Sequence, residues 1–255
     1  MCDVRLDGSV VVITGAGNGI GAAMARKFAG AGARLVLGDI DADGVGAVAE
    51  EIGGLAVPGD VASESGVAAL VDAAMSEHGA VDVYCANAGT TGGTEADEAA
   101  WADTWEINVM AHVRAARALL PHWLERGQGH FLATASAAGL LTMLRAAPYS
   151  VTKHAAVAHA EWLNITYADK GVTAQALCPQ GVRTNMLADT GDTGKALLVP
   201  EAITPEQVAD LVAEKLGGEE FLILPHPEVG DYYALRAAQP EKWQAGMRKL
   251  QRKVE

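Results

Sequence analysis

The sequence predicts an α/β protein: a doubly wound parallel sheet of about seven strands with helices on both faces. Three observations carry this. Short β-branched runs alternate with longer helical patterns along nearly the whole chain, and a strand that returns through a helix rejoins its sheet in parallel. Several strand runs are continuously apolar, as strands covered on both faces must be. Finally, 255 residues, half of them hydrophobic, suffice to bury such a core in one domain spanning 1–255.

The first strand is read over 9–14, Ser9-Val10-Val11-Val12-Ile13-Thr14. It stops at Gly15-Ala16-Gly17-Asn18-Gly19-Ile20-Gly21, and a helix follows over 18–30. Glycines admit positive φ and let the backbone approach a ligand closely. The helix N-terminus behind them offers free N–H groups and a positive dipole end, a place for pyrophosphate. Ile20 stands where the strict G-x-G-x-x-G spacing would put its third glycine; the pattern present is Thr-Gly-x-x-x-Gly-x-Gly from Thr14 to Gly21. A second strand over 33–38 ends at Asp39. A carboxylate about 20 positions after the glycine turn can accept from both ribose hydroxyls, and it repels a 2′-phosphate. With no Arg or Lys at 39–41, this points to NAD rather than NADP.

Helices over 41–52 and 63–78 flank a strand over 54–58, which is followed by Asp60-Val61. A fourth strand over 81–86 ends at Asn87-Ala88-Gly89. One long helix is expected over 97–126, then a strand over 129–135 with Ser136 at its end, then a second long helix over 148–169. Tyr149 and Lys153, four residues apart, share one face of that helix. An ammonium beside a phenol favours the phenolate, and an unperturbed tyrosine titrates near ~10. The pair is therefore suited to exchanging a proton with an alcohol or carbonyl. The spacing alone is common in helices and gains its meaning from the rest of the chain. A strand over 172–178 leads into Pro179-Gln180-Gly181-Val182 and Thr184. The segment from Met186 to Ile203, with Gly191 and Gly194, is expected to be a mobile loop that can lie over a substrate. A helix over 204–216 and a strand over 220–224 complete the sheet, leaving 225–255 as a C-terminal extension.

In order and interval, Thr14-Gly15-x-x-x-Gly19-x-Gly21, Asp60-Val61, Asn87-Ala88-Gly89, Asn108, Ser136, Tyr149-x-x-x-Lys153, Pro179 and Val182-x-Thr184 resemble the short-chain dehydrogenase/reductase family, of the compact single-domain type. The resemblance runs from Val10 to about Leu224. It implies a Rossmann-like fold and a catalytic set of Asn108, Ser136, Tyr149 and Lys153. The implied cofactor-binding set is Gly15, Asn18, Gly19, Ile20, Asp39, Asp60, Val61, Asn87, Ala88, Gly89, Tyr149, Lys153, Pro179, Gly181, Val182 and Thr184. Within it, Asp60 would bond the adenine with Val61 against the ring, and Asn87-Ala88-Gly89 would brace the cofactor side of the sheet. Val182 and Thr184 would fix the nicotinamide carboxamide. In the implied mechanism Tyr149 takes the alcohol proton, and Ser136 donates to the developing oxyanion. Lys153 lowers the tyrosine pKa and bonds the nicotinamide ribose, and Asn108 holds a water beside Lys153. The resemblance also places long helices at subunit contacts, implying a homotetramer or homodimer.

Two positions depart from the family pattern. Ala86 replaces the first of two asparagines before Ala88-Gly89, and Gln180 follows Pro179 where glycine is usual. Gln180 adds bulk, one acceptor and two donors beside the implied nicotinamide. With Ser136, Tyr149, Met186 and Leu187 it forms the candidate substrate set. Thr90–Thr94, Met143, Leu197, Leu198 and the run Leu224–Val229 are further candidates. These suit a mainly apolar secondary alcohol or ketone, because a sugar wants more fixed polar groups. Two alternatives stay open: an NADPH-dependent biosynthetic ketoreductase, and a dinucleotide-binding sensor that does no chemistry.

Other functions are disfavoured. A net charge of −13 argues against nucleic-acid binding. The last twenty residues reverse the sign, with six Lys or Arg against two Glu, and read as a solvated helix face on a tail. No basic segment leads into a long apolar run at the N-terminus, and no stretch approaches ~20 apolar residues, so a cytoplasmic chain without a membrane span is expected. Cys2, Cys85 and Cys178 lack metal-like spacing and read as free thiols, and the seven histidines form no H-E-x-x-H pattern.

Overall fold

The computed structural model describes residues 4–92, 98–188 and 190–254. The chain builds β1 (Val10–Thr14), α1 (Gly19–Gly30), β2 (Arg34–Asp39), α2 (Ala42–Ile52), β3 (Leu55–Pro58), α3 (Glu64–His78) and β4 (Val83–Ala86). It continues through α4 (Glu98–Trp105), α5 (Ala111–Arg126), β5 (Gly129–Thr134), α6 (Ala138–Leu141), α7 (Ala147–Tyr167) and β6 (Val172–Leu177). Last come α8 (Asn185–Ala188), α9 (Asp192–Leu198), α10 (Pro205–Lys215), β7 (Leu222–Ile223), α11 (Glu228–Ala238) and α12 (Pro240–Val254).

All seven strands are parallel, in the order β3-β2-β1-β4-β5-β6-β7. The two-residue period of β1 divides the core. Val10 and Val12 face a layer closed by Leu70, Leu119, Trp123 and Leu163. Val11 and Ile13 face one closed by Met24, Phe28, Val48 and Val208. Each face needs its own helices, so the chain winds one way from β1 to β3 and the other way from β4 to β7. The reversal between β1 and β4 opens a crevice at the carboxyl ends of the strands.

Three helix starts are closed by side chains. Asp41 caps α2 through Gly44 N–H, Ser63 caps α3 through Gly66 N–H, and Thr204 with Gln207 forms a capping box on α10. Asn18 begins α1 without any side-chain cap, at the crevice.

Three expectations are corrected. The helix expected over 97–126 is broken by a π turn at Glu106–Met110. Asn108 is wholly buried there, and its carboxamide bonds Thr90 and Thr152, which draws the extra residue inward. Asp97, its expected start, lies outside the described residues, as do Gly93 and Thr94. The segment from Met186 to Ile203 contains two short helices, α8 and α9, where a loop was expected. The C-terminal extension, read as a solvated helix face on a tail, is helical but folds as a hairpin of α11 and α12.

Candidate active site

The end of β1 is stapled to the end of β4. Thr14 Oγ1 accepts from Asn87 N–H at 2.9 Å and Ala88 N–H at 3.0 Å, while Asn87 Nδ2 donates to the Thr14 and Gly15 carbonyls. With Asn87 doing this, the Ala86 position, buried in β4, needs no second amide. Gly15 holds φ +65°, and a Cβ there would stand 2.9 Å from Ala88 Cα. A Cβ on Gly21 would stand 2.1 Å from the Gly15 carbonyl oxygen, so the turn closes only with glycine. Asp39, buried at the end of β2, accepts from Gly17 N–H at 2.8 Å and Asp41 N–H at 2.9 Å. These bonds tie the carboxylate to the glycine turn. Asp60 accepts from Ala62 N–H at 3.0 Å.

Ser136 follows β5, and Tyr149 and Lys153 sit on the first turns of α7. Ser136 Oγ accepts from Ala138 N–H at 3.1 Å and donates to the Pro179 carbonyl at 3.4 Å. Lys153 Nζ donates to the Thr134 carbonyl at 2.8 Å and stands 5.7 Å from the centre of the Tyr149 ring. Gly89 lies over this group: a Cβ there would be 3.1 Å from Asn108 Oδ1 and 3.2 Å from Lys153 Nζ. Burial pushes the Lys153 ammonium down to about 8 and the Cys178 thiol beside it up to about 12.

The expected lowering of the tyrosine pKa by Lys153 is not what the geometry gives. Burial pushes the Tyr149 phenol above its ordinary value, and only the Ser136 hydroxyl works against it. Lys153 is itself desolvated and spends a donor on Thr134, with its charge over the ring.

One cleft of about 1000 Å³ collects these parts. Every residue of the sequence-predicted catalytic, cofactor and substrate sets lines it except Asn108. Asn108 lies behind the wall, accepting from Thr90 N–H at 2.9 Å and donating to the Thr90 carbonyl at 2.9 Å and to Thr152 Oγ1 at 3.1 Å.

Gln180 also lines the cleft and is held at both ends. Its backbone N–H donates to His226 Nδ1 at 3.2 Å, and its side-chain amide reaches Glu228 at 3.4 Å. The His226 partners fix its tautomer, with Nε2–H donating to the Glu201 carbonyl at 3.3 Å. Val182 forms an isolated bridge to Ile203, and Thr184 Oγ1 donates to the Val182 carbonyl at 3.3 Å.

The sequence reading missed the contribution of the last two helices. Tyr232 and Leu235 of α11 and Trp243, Met247 and Leu250 of α12 line the same cleft. Their signal was present: Pro240 opens a helix, and Trp243, Met247, Leu250 and Val254 recur at helical spacing. Among the described residues no group of three or more His, Cys, Asp or Glu side chains gathers to hold a metal. No described helix is long and apolar enough to cross a membrane. Cys85 and Cys178 are free and buried; Cys2 lies outside the described residues.

The profile of the short chain dehydrogenase family matches residues 9–195. A 1-deoxy-11-beta-hydroxypentalenate dehydrogenase of Streptomyces exfoliatus is 34% identical over 240 residues, covering 88% of this chain and 86% of its own. A cis-4-hydroxycyclohexanecarboxylate dehydrogenase of Sinomonas cyclohexanicum is 33% identical over 217 residues, covering 80% of this chain and 87% of its own. The crystal structure of a short chain dehydrogenase/reductase from Burkholderia phymatum in complex with NAD superposes with a TM-score of 0.86 at 30% identity, covering 93% of this chain and 96% of that one. With this match along most of its length, and with the fold and the Ser136, Tyr149 and Lys153 geometry described above, the chain belongs to the short-chain dehydrogenase/reductase family.

Proposed function

We propose that this chain is an NAD-dependent oxidoreductase that interconverts a secondary alcohol and a ketone on a mainly apolar small molecule. The observation that carries the reading is the meeting of Ser136, Tyr149 and Lys153 in the same cleft as the glycine turn and the Asp39 carboxylate.

The family implies a nicotinamide dinucleotide, and the residues present fit one. The uncapped start of α1 leaves N–H groups for a pyrophosphate, and Gly15 and Gly19 keep side chains out of its way. Asp39 keeps acceptor capacity on both oxygens for ribose hydroxyls, since each takes one backbone N–H. The lining offers that end of the cleft no cation for a 2′-phosphate, while Asp39 would oppose one. Asp60 and Val61 would flank the adenine, Val182 and Thr184 would hold the carboxamide, and Lys153 has donors left for a ribose. When bound, the nicotinamide supplies the hydride acceptor or donor.

The chain's own residues handle the proton. Ser136 and Tyr149, lining the same cleft, present two hydroxyls to one substrate oxygen. Tyr149 takes the alcohol proton in oxidation and returns it in reduction, and Ser136 donates to the oxygen as charge develops. A phenol held above its ordinary pKa stays protonated at neutral pH, the form that returns a proton to the substrate oxygen in reduction. Lys153, near neutrality at about 8, is poised to relay the proton onward. Asn108 acts as a positioning residue, fixing Thr90 and Thr152 beneath Gly89 and Lys153.

The test is a panel of cyclic and open-chain alcohols and ketones with NAD(H) and NADP(H), read at the reduced-nicotinamide band. Turnover of secondary alcohols or ketones with NAD(H) favoured is expected. Turnover only with NADP(H) would support the ketoreductase alternative, and dinucleotide binding without turnover would support the sensor.

A further inference from the structure

We propose that Lys242 reads an anionic group of carboxylate type on a substrate whose body is otherwise apolar. The proposal rests on the reading of this cleft as an alcohol dehydrogenase site and names the substrate class.

The α11–α12 hairpin belongs to the catalytic end of the cleft. Arg236 of α11 donates to the Leu140 carbonyl on α6, the turn that follows Ser136, and reaches His154 Nε2 at 2.9 Å, one residue beyond Lys153. That pins α11 against the catalytic helix, across the sheet from Asp39. α12 folds back on α11, with the Tyr232 and Trp243 rings 6.3 Å apart. No residue of α12 is fully buried, yet Trp243, Met247 and Leu250 line the cleft. A face spaced four and three residues apart is built to cover apolar surface, and the cleft is what it faces.

Charge marks one point on this wall. Among the described cleft-lining side chains the cations are Lys153 and Lys242. Lys153 is committed to Thr134, whereas no carboxylate among the described residues pairs with Lys242. The acids that line the cleft are Asp39, Asp60, Glu201 and Glu228. Glu228 opens α11 beside Gln180, and Lys242 lies just past the turn at Gln239. An eleven-residue helix separates its ends by about 16 Å. An anionic group near Gln180 would meet Glu228, while the same group under α12 would meet Lys242. The surrounding field agrees: α12 carries five cations and one acid in a chain of net charge −13, so anions are drawn locally to this mouth.

The probes are 4-hydroxycyclohexanecarboxylate and 6-hydroxydecahydro-2-naphthoate, each with its methyl ester. They are assayed with NAD in wild type and Lys242→Met, at low and high ionic strength. In parallel, calorimetry measures binding of cyclohexanecarboxylate and its methyl ester to the protein with NAD present, which needs no turnover. The expected result is a preference for acid over ester that Lys242→Met reduces about three- to tenfold, through KM for the acid with the ester unchanged. The preference also shrinks as salt rises. Equal handling of acid and ester, or a preference that survives Lys242→Met, would overturn the proposal. So would a loss of NAD affinity in Lys242→Met, which would assign the lysine to the dinucleotide. If no alcohol turns over, the oxidoreductase reading fails separately, and calorimetry still decides whether Lys242 binds the anion.

Discussion

Lys153 must carry its charge in a place that resists it. The residue is 2% exposed, and burial brings its pKa to about 8, against an ordinary value of 10.5. The folded value lies below the unfolded one. Between about pH 8 and 10.5 the unfolded chain therefore binds the extra proton, and stability rises with pH across that window. Below pH 8 the full cost is present, about 3 kcal/mol at 1.36 kcal/mol per tenfold difference in proton affinity. About 2.5 kcal/mol of it is relieved by pH 10. Lys153→Met keeps the stem and removes the charge. It also strips the Thr134 carbonyl of its donor, a cost of about 1–3 kcal/mol that does not depend on pH. The informative quantity is thus the difference in unfolding free energy between wild type and Lys153→Met, from urea titrations at fixed protein concentration and several pH values. Wild type should gain on the variant by about 2.5 kcal/mol between pH 7 and pH 10. A difference constant to within about 0.5 kcal/mol would refute the claim that the native fold holds this ammonium under strain of burial.

Other outcomes follow from single residues. Asp39→Ala should lower the preference for NAD over NADP by about tenfold or more, because a like charge facing the 2′-phosphate is removed; steady-state KM for both cofactors checks this, and an unchanged ratio would count against the assignment. Gln180→Gly should re-rank ketones of different size while moving NAD affinity little, since it removes both the side chain in the cleft and its bond to Glu228; a common factor for all substrates would make Gln180 a loop-setting residue only. Sedimentation should find a dimer or tetramer, because Val151, Trp162 and Ile165 of α7 leave 47%, 51% and 77% of their surface exposed; a stable monomer at micromolar concentration would contradict it.

The sheet was legible because its signals are local. Continuous apolar strands such as Val10–Ile13 and Phe131–Ala133 and the glycine turn after Thr14 need no tertiary context. The cleft residues were legible because strand ends in a parallel sheet converge, so Asp39, Asn87, Ser136 and Pro179 meet whatever the loops do. What escaped was set by distant partners. The π turn depends on Asn108 finding Thr90 and Thr152, which no hydrophobic period records. The raised Tyr149 pKa depends on how deeply α7 sinks, and the spacing to Lys153 says nothing of that depth. The α12 wall had its period in plain sight, but its charges suggested solvent on all sides. Gln180 stood out as a departure, while its clamp to His226 and Glu228 required β7 and α11 to be placed first.

In the proposed mechanism Tyr149 moves the proton of an NAD-dependent alcohol–ketone interconversion. The measurement that tests it most directly is kcat for an active alcohol with NAD, set beside the NAD dissociation constant, in wild type and Tyr149→Phe. Turnover should fall by at least about a thousandfold while NAD affinity changes by less than about threefold, since the hydroxyl transfers the proton and does not hold the dinucleotide. A Tyr149→Phe enzyme with near-normal kcat, or one that loses NAD binding and turnover together, would contradict it.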